Sequence, residues 1–247
     1  MRVSRVPIGL VVSLLLPAIR ADAVDYGSWD ALLRQFVEEG RVDYAGLAGQ
    51  RASLDAYLAG LAEADPAALG SPQEPLAFWI NAYNACVIRE VLDRYPLRSV
   101  KDVRGFFDRE RCRVGGEALT LNEIEAKGRA LGDWRIHVGL VCGSTSCPPL
   151  RPEAYQAARV SEQLDDQARR FLNDPVHGAR VDGNILWVSK IFKWYASDFV
   201  PSGPMTATSL WPLISRYILQ LESLIADPTR VSLKFLDYDW TLNNRSP

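Results

Sequence analysis

The sequence predicts an α+β fold, with helices surrounding a small mixed or antiparallel sheet in a single domain. Three observations predict it. Apolar residues recur at helical spacing before residue 95 and again after residue 150, short runs of strand character lie between and after them, and apolar residues make up 48% of the 247. A chain of this length can bury a sizeable core, and it carries no internal repeat or low-complexity tract.

Taken in order, the first 23 residues read as a secretory signal peptide. Arg2 and Arg5 precede an apolar run from Val6 to Ile19, and Ala21-Asp22-Ala23 supplies a small-x-small cleavage pattern. The run is about 14 residues long, where a spanning helix needs roughly 20. Cleavage after Ala23 is therefore expected, leaving one globular domain over 24–247, periplasmic or secreted, with no membrane span once the signal is removed.

"DYGSWDALLRQFVEEG" predicts a helix capped by Ser28 and ended at Gly40, and "RASLDAYLAGLAEADPAALG" a second one stopped by Asp65-Pro66. "SPQEPLAFWINAYNACVIREVLDRYP" is the longest helix, running between Ser71-Pro72 and Tyr95-Pro96. A charged stretch then turns at Gly115-Gly116, and Thr120 with Glu123 has the capping-box spacing of a short helix. "IHVGLV", residues 136–141, has the length and composition of a buried strand. Helix returns around "EAYQAARVSEQLDDQARRFLND". A strand pair turns at Asp182-Gly183, and Ser189 caps the helix after it. A last helix, "ATSLWPLISRYILQLESLIAD", precedes a final strand and structured tail in "RVSLKFLDYDWTLNN".

With 28 basic against 30 acidic residues there is no polybasic field, which excludes nucleic acid as a partner and leaves a small molecule or a protein. Four cysteines in an oxidising compartment favour disulfides, with three connectivities open.

Four segments, "FWINAYNACVIREVL", "LTLNEIE" leading to "RIHVGLVCGSTSCPPL", "VSKIFKWYASDF" and "FLDYDWTLN", occur in that order. As a set they resemble the domain of unknown function 547 family over roughly residues 40 to 245. The resemblance implies no defined activity, since the family is named for its unknown function. Its bacterial members are often exported, and relatives joined to glutaredoxin-like domains hint at thiol chemistry or scaffolding.

The candidate site residues follow from their own physics. His177, in the polar "NDPVHGAR", reads as a solvated loop residue. His137 on a regular strand would share a face with Gly139 and Val141, while Cys142 would lie on the other face roughly 16 Å along, too far for proton transfer between them. Gly143 permits a turn, and "GSTS" can return Cys147 to Cys142, closing a disulfide, or to His137, making a site. A thioredoxin-type pair needs two intervening residues, not four. A zinc site from Cys142, Cys147, His137 and one more ligand lacks the usual paired short spacings, so neither metal nor cofactor is expected.

Asn81 and Asn84 lie three apart on the long helix and can hold a backbone group, a ligand or an imidazole. Cys86, on another face, either pairs with Cys112 or fills the core. Capping accounts for Glu123, which leaves Glu125 as a candidate acid, base or imidazole orienter. Lys190 and Lys193 fall on one helical side beside Trp194, as a wet face or as a site for a substrate carboxylate or phosphate.

Three readings emerge. The favoured one is an exported binding or scaffold domain with a 142–147 disulfide beside a His137 pocket. The second is a hydrolase or transferase using Cys142 or Cys147 with His137 as base, and the third a thiol-disulfide oxidoreductase.

Overall fold

In a computed structural model the described residues are 24–219 and 221–245, so the signal-peptide reading falls outside them. Among them no helix is long and apolar enough to cross a membrane.

The α+β expectation holds. Helix α1 (Gly27–Phe36) buries Trp29, Leu32, Leu33 and Phe36 as one stripe, without a side-chain cap from Ser28. It stops short of Gly40 because Val37–Glu38 (β1) and Arg41–Val42 (β2) form a small antiparallel hairpin. Its turn sets Gly40 at φ 80°. A Cβ there would lie 2.3 Å from the Pro149 Cβ, so both the backbone angle and the close approach call for glycine.

Helix α2 (Tyr44–Ala48) is capped by Asp43, and α3 (Arg51–Glu63) ends ahead of Asp65-Pro66, as the sequence predicts. Helix α4 (Gln73–Leu92) is the axis of the molecule. Every residue from Leu76 to Ile88 is buried, which places the helix inside rather than on the surface. Strands β3 (Arg111–Val114) and β4 (Glu117–Thr120) pair across Gly115-Gly116, and a Cys86–Cys112 disulfide ties β3 to α4. Helix α5 (Leu121–Arg129) opens with the expected capping box of Thr120 and Glu123.

The "IHVGLV" strand is not formed. Ile136–Gly139 make one helical turn, α6, after which Leu140 is extended. A short apolar run does not discriminate a buried strand from a buried helical turn. Here the deciding feature is non-local: the Asn84 amide donates to the Gly139 carbonyl at 2.9 Å and accepts from the Val141 N–H at 2.9 Å. One side chain supplies the partners a neighbouring strand would have supplied.

The same device holds the irregular stretch before α7 (Val160–Leu172). Asn81 donates to the Tyr155 carbonyl at 2.7 Å and accepts from the Tyr155 N–H at 3.0 Å, while Gln163 brackets the adjoining Ala154 carbonyl and Gln156 N–H. Strands β5 (Ala179–Asp182) and β6 (Ile185–Val188) turn at Gly183 as expected, and Ser189 caps α8 (Lys190–Trp194), followed by α9 (Ala196–Phe199).

The predicted last helix is broken into α10 (Ala207–Ile214) and α11 (Leu221–Leu224). Pro212 removes a backbone donor inside α10, and Asn173 takes the Tyr217 carbonyl and the Leu219 N–H at 2.8 Å each, fixing the break. Strand β7 (Ser232–Phe235) pairs parallel to β6, giving a mixed three-stranded sheet. Beyond it the tail runs extended against the loop after Cys142, with Thr145 N–H to the Thr241 carbonyl at 2.7 Å and Asn243 N–H to the Gly143 carbonyl at 3.0 Å.

Candidate functional site

The tail decides what the "GSTS" loop does. Asp239, Thr241 and Asn243 each bond this loop, so its backbone is folded by residues nearly a hundred positions away. Held that way, Cys147 returns to Cys142 and the two form a disulfide, with their Cα atoms 6.1–6.2 Å apart like those of Cys86 and Cys112. All four cysteines of the chain are thus paired.

The Cys142–Cys147 sulfurs face polar groups rather than apolar packing. The Cys142 N–H donates to the Cys147 Sγ at 3.0 Å, and the Tyr238 hydroxyl stands 3.2 Å from the Cys147 Sγ and 3.4 Å from the Cys142 Sγ. The Ser144 hydroxyl donates to the Tyr238 oxygen at 3.2 Å, which leaves the phenolic hydrogen free to turn towards sulfur. Burial pushes the Tyr238 phenol up to about 12, so it remains a donor at neutral pH.

Both sulfurs line a cavity of about 830 Å³ whose wall also carries His137, Glu125, Tyr83 and Tyr195. The buried His137, on α6, meets the Asp198 Oδ2 of α9 through its Nε2 at 2.8 Å. Arg129 of α5 grips the same carboxylate in a fork, at 2.6 and 2.9 Å. That fork, with the imidazole contact, lowers the Asp198 carboxyl to about 2. Burial holds the His137 imidazole below its usual value, against the opposing pull of Asp198. A neutral ring beside an ionised carboxylate keeps its proton on Nε2, so Nδ1 is the acceptor. The imidazole packs on the rings of Tyr195 at 4.4 Å and Phe199 at 5.0 Å, which fixes its plane.

Glu125 titrates the other way. Burial raises its carboxyl, with the Tyr195 hydroxyl and Arg129 pulling against that. Two carboxylates near one arginine are thus shifted in opposite directions, Asp198 down by its fork with Arg129 and Glu125 up by burial.

The mouth of the cavity is aromatic. Trp194, Tyr238 and Trp240 pack on one another with centroids 4.7 to 5.7 Å apart, and Trp194 remains 45% exposed. Lys101 stands 4.2 Å over the Trp240 ring, and the exposed Arg104 and Asp108 complete that edge.

Of the residues singled out in the sequence, His137, Glu125, Cys142 and Cys147 meet in this cavity. Asn81 and Asn84 do not line it. Their amides are spent on backbone groups, and Asn84 sets the course of the chain between His137 and Cys142. Lys190 pairs with Asp237 at 3.3 Å and Lys193 lies 5.8 Å over the Phe235 ring, neither of them among the lining residues. His177 bonds Asp174 at 2.8 Å within its own loop. Sequence reasoning passed over Asp198, Tyr195, Tyr238 and Trp240, although they sit in the quoted "VSKIFKWYASDF" and "FLDYDWTLN". The available signal was the density of aromatic and acidic residues in these two short segments.

Residues 67–172 match the family described as "Protein of unknown function, DUF547". Neither a curated protein nor a solved structure matches the chain significantly.

Proposed function

We propose that this chain, whose residues 67–172 match the DUF547 family, is an exported binding protein. Its cavity would take a small molecule with a flat apolar face and a negatively charged end. The observation that carries this reading is the half-exposed Trp194, packed with Tyr238 and Trp240 at the mouth of a cavity of about 830 Å³. Exposed aromatic faces beside a concave volume of this size are the usual chemistry of small-molecule sites. Lys101 and Arg104, against Asp108 at the same edge, favour an anionic end. Pairing of all four cysteines supports an oxidising location outside the cytosol.

The alternative, a hydrolase or transferase with a cysteine nucleophile, requires a free thiolate, and both candidate sulfurs are bonded to each other. It would operate only after reduction of that bond.

The test uses 8-anilinonaphthalene-1-sulfonate, a flat aromatic anion, titrated into the folded mature protein. One saturable site is expected, weakened about tenfold by Trp194→Ala, with no thiol reacting with Ellman's reagent before or during the titration. Binding that Trp194→Ala leaves unchanged overturns the assignment of the cavity. A free thiol in the exported protein favours the nucleophile instead.

A further inference from the structure

We propose that the Cys142–Cys147 disulfide is an exchange site for a small thiol entering the cavity, with Cys142 as the sulfur attacked and Cys147 as the sulfur released. The inference rests on the reading of the cavity as a ligand site and names the ligand's reactive group.

The two sulfurs are not equivalent. Cys142 is half-buried at the cavity wall, whereas Cys147 is 7% exposed and therefore less open to an incoming group. The hydrogen-bond donors lean the opposite way: two reach the Cys147 Sγ, while the Cys142 Sγ has the Ser144 hydroxyl at 3.1 Å, a proton it shares with the Tyr238 oxygen. The Cys142 N–H points at the Cys147 Sγ at 3.0 Å, and the Tyr238 hydroxyl is nearer to that sulfur than to its partner. A disulfide sulfur carries no charge and gains little from such donors, but a departing thiolate gains much, because hydrogen bonds to a charged acceptor are about twice as strong as neutral ones. The leaving sulfur is thus stabilised before it leaves, and a better leaving thiolate speeds exchange. The other disulfide lacks these features: Cys86 and Cys112 are buried in the core at 0% and 2% exposure.

The chemistry balances as follows. A thiolate in the cavity forms a bond to the Cys142 Sγ as the Cys142–Cys147 bond breaks, and the electron pair leaves on the Cys147 Sγ. A second thiol attacks the ligand sulfur of the mixed disulfide, forming the ligand disulfide and releasing the Cys142 thiolate. Two ligand thiols are oxidised to one disulfide, the protein pair is reduced to a dithiol, and the two protons given up by the ligands end on Cys142 and Cys147 or in solvent.

The experiment mixes the intact oxidised protein with reduced glutathione, quenches with acid, caps free thiols with N-ethylmaleimide and locates both labels by mass spectrometry. Glutathione is expected on Cys142 and maleimide on Cys147, with Cys86–Cys112 unreacted. Tyr238→Phe is expected to slow formation of the mixed disulfide about tenfold, by removing one hydrogen bond to the departing charge. Ser144→Ala, which removes the orienting partner of Tyr238 together with a hydroxyl 3.1 Å from the Cys142 Sγ, should slow it by a smaller factor and serves if Tyr238→Phe does not fold. Glutathione on Cys147, reaction no faster than at Cys86–Cys112, or rates unaltered in both variants each overturn the inference. If the naphthalene probe still binds through Trp194 in that event, the cavity reading stands and the exchange site alone falls.

Discussion

Replacing Asn84 by alanine isolates the contact that shapes the site. The side chain is 3% exposed and makes two hydrogen bonds of 2.9 Å, to the Gly139 carbonyl and from the Val141 N–H. Alanine leaves both backbone groups buried without a partner, at about 1–3 kcal/mol each. Water entering the vacated volume recovers part of that, so a loss of about 2–4 kcal/mol is expected. With a urea m-value of about 2 kcal/mol per M, the unfolding midpoint should fall by roughly 1–2 M. Asn84→Asp retains an acceptor for the Val141 N–H but sets a carboxylate oxygen against the Gly139 carbonyl, so it should be no milder at neutral pH. Urea unfolding followed by tryptophan fluorescence gives the midpoint, and hydrogen exchange at the Val141 amide localises the loss. An alanine variant whose midpoint moves by less than about 0.3 M, with that amide still protected, would refute the clamp and return Asn84 to the list of ligand contacts.

Two further perturbations have a calculable sign. Asp198 titrates at about 2 when folded against 3.8 ordinarily, so its stabilisation is present above about pH 4 and disappears as the pH falls through 2. The full shift corresponds to about 2.5 kcal/mol, and solvent screening of a carboxylate that keeps some exposure reduces this to about 1–2 kcal/mol. The gap in stability between the native protein and Asp198→Asn should therefore shrink by that amount between pH 5 and pH 2, measured by urea unfolding, and a gap independent of pH would contradict it. Gly40→Ala should lower stability by about 2–4 kcal/mol, since it combines a φ of 80° with a Cβ 2.3 Å from that of Pro149, and a calorimetric melting temperature within a degree of the native one would contradict this.

The elements that could be read from the sequence are those whose causes are local. The Thr120–Glu123 capping box, the Gly183 turn, the Ser189 cap and the stop before Asp65-Pro66 each depend on residues a few positions apart, and each is present. Two of the errors share one physical origin. The strand expected at 136–141 and the unbroken last helix both fail where a distant amide, Asn84 or Asn173, satisfies two backbone groups and so permits an irregular path. No local propensity records that substitution of a side chain for a strand or a helical turn.

The same distinction explains the site. Strand alternation set His137 and Cys142 on opposite faces, and with α6 in place of the strand that objection lapses, since both line one cavity. Their neighbours are not encoded nearby: Asp198, which orients the imidazole, and Tyr238, which faces both sulfurs, lie beyond the 67–172 segment that matches the family. The matched segment thus supplies the disulfide, the histidine, Glu125 and Arg129, while Tyr195, α9 and the tail after residue 172 supply Asp198, Tyr238 and other partners of these groups. The disulfide therefore takes its polar contacts from both sides of that boundary, the Cys142 N–H and Ser144 from within the matched segment and the Tyr238 hydroxyl from beyond it.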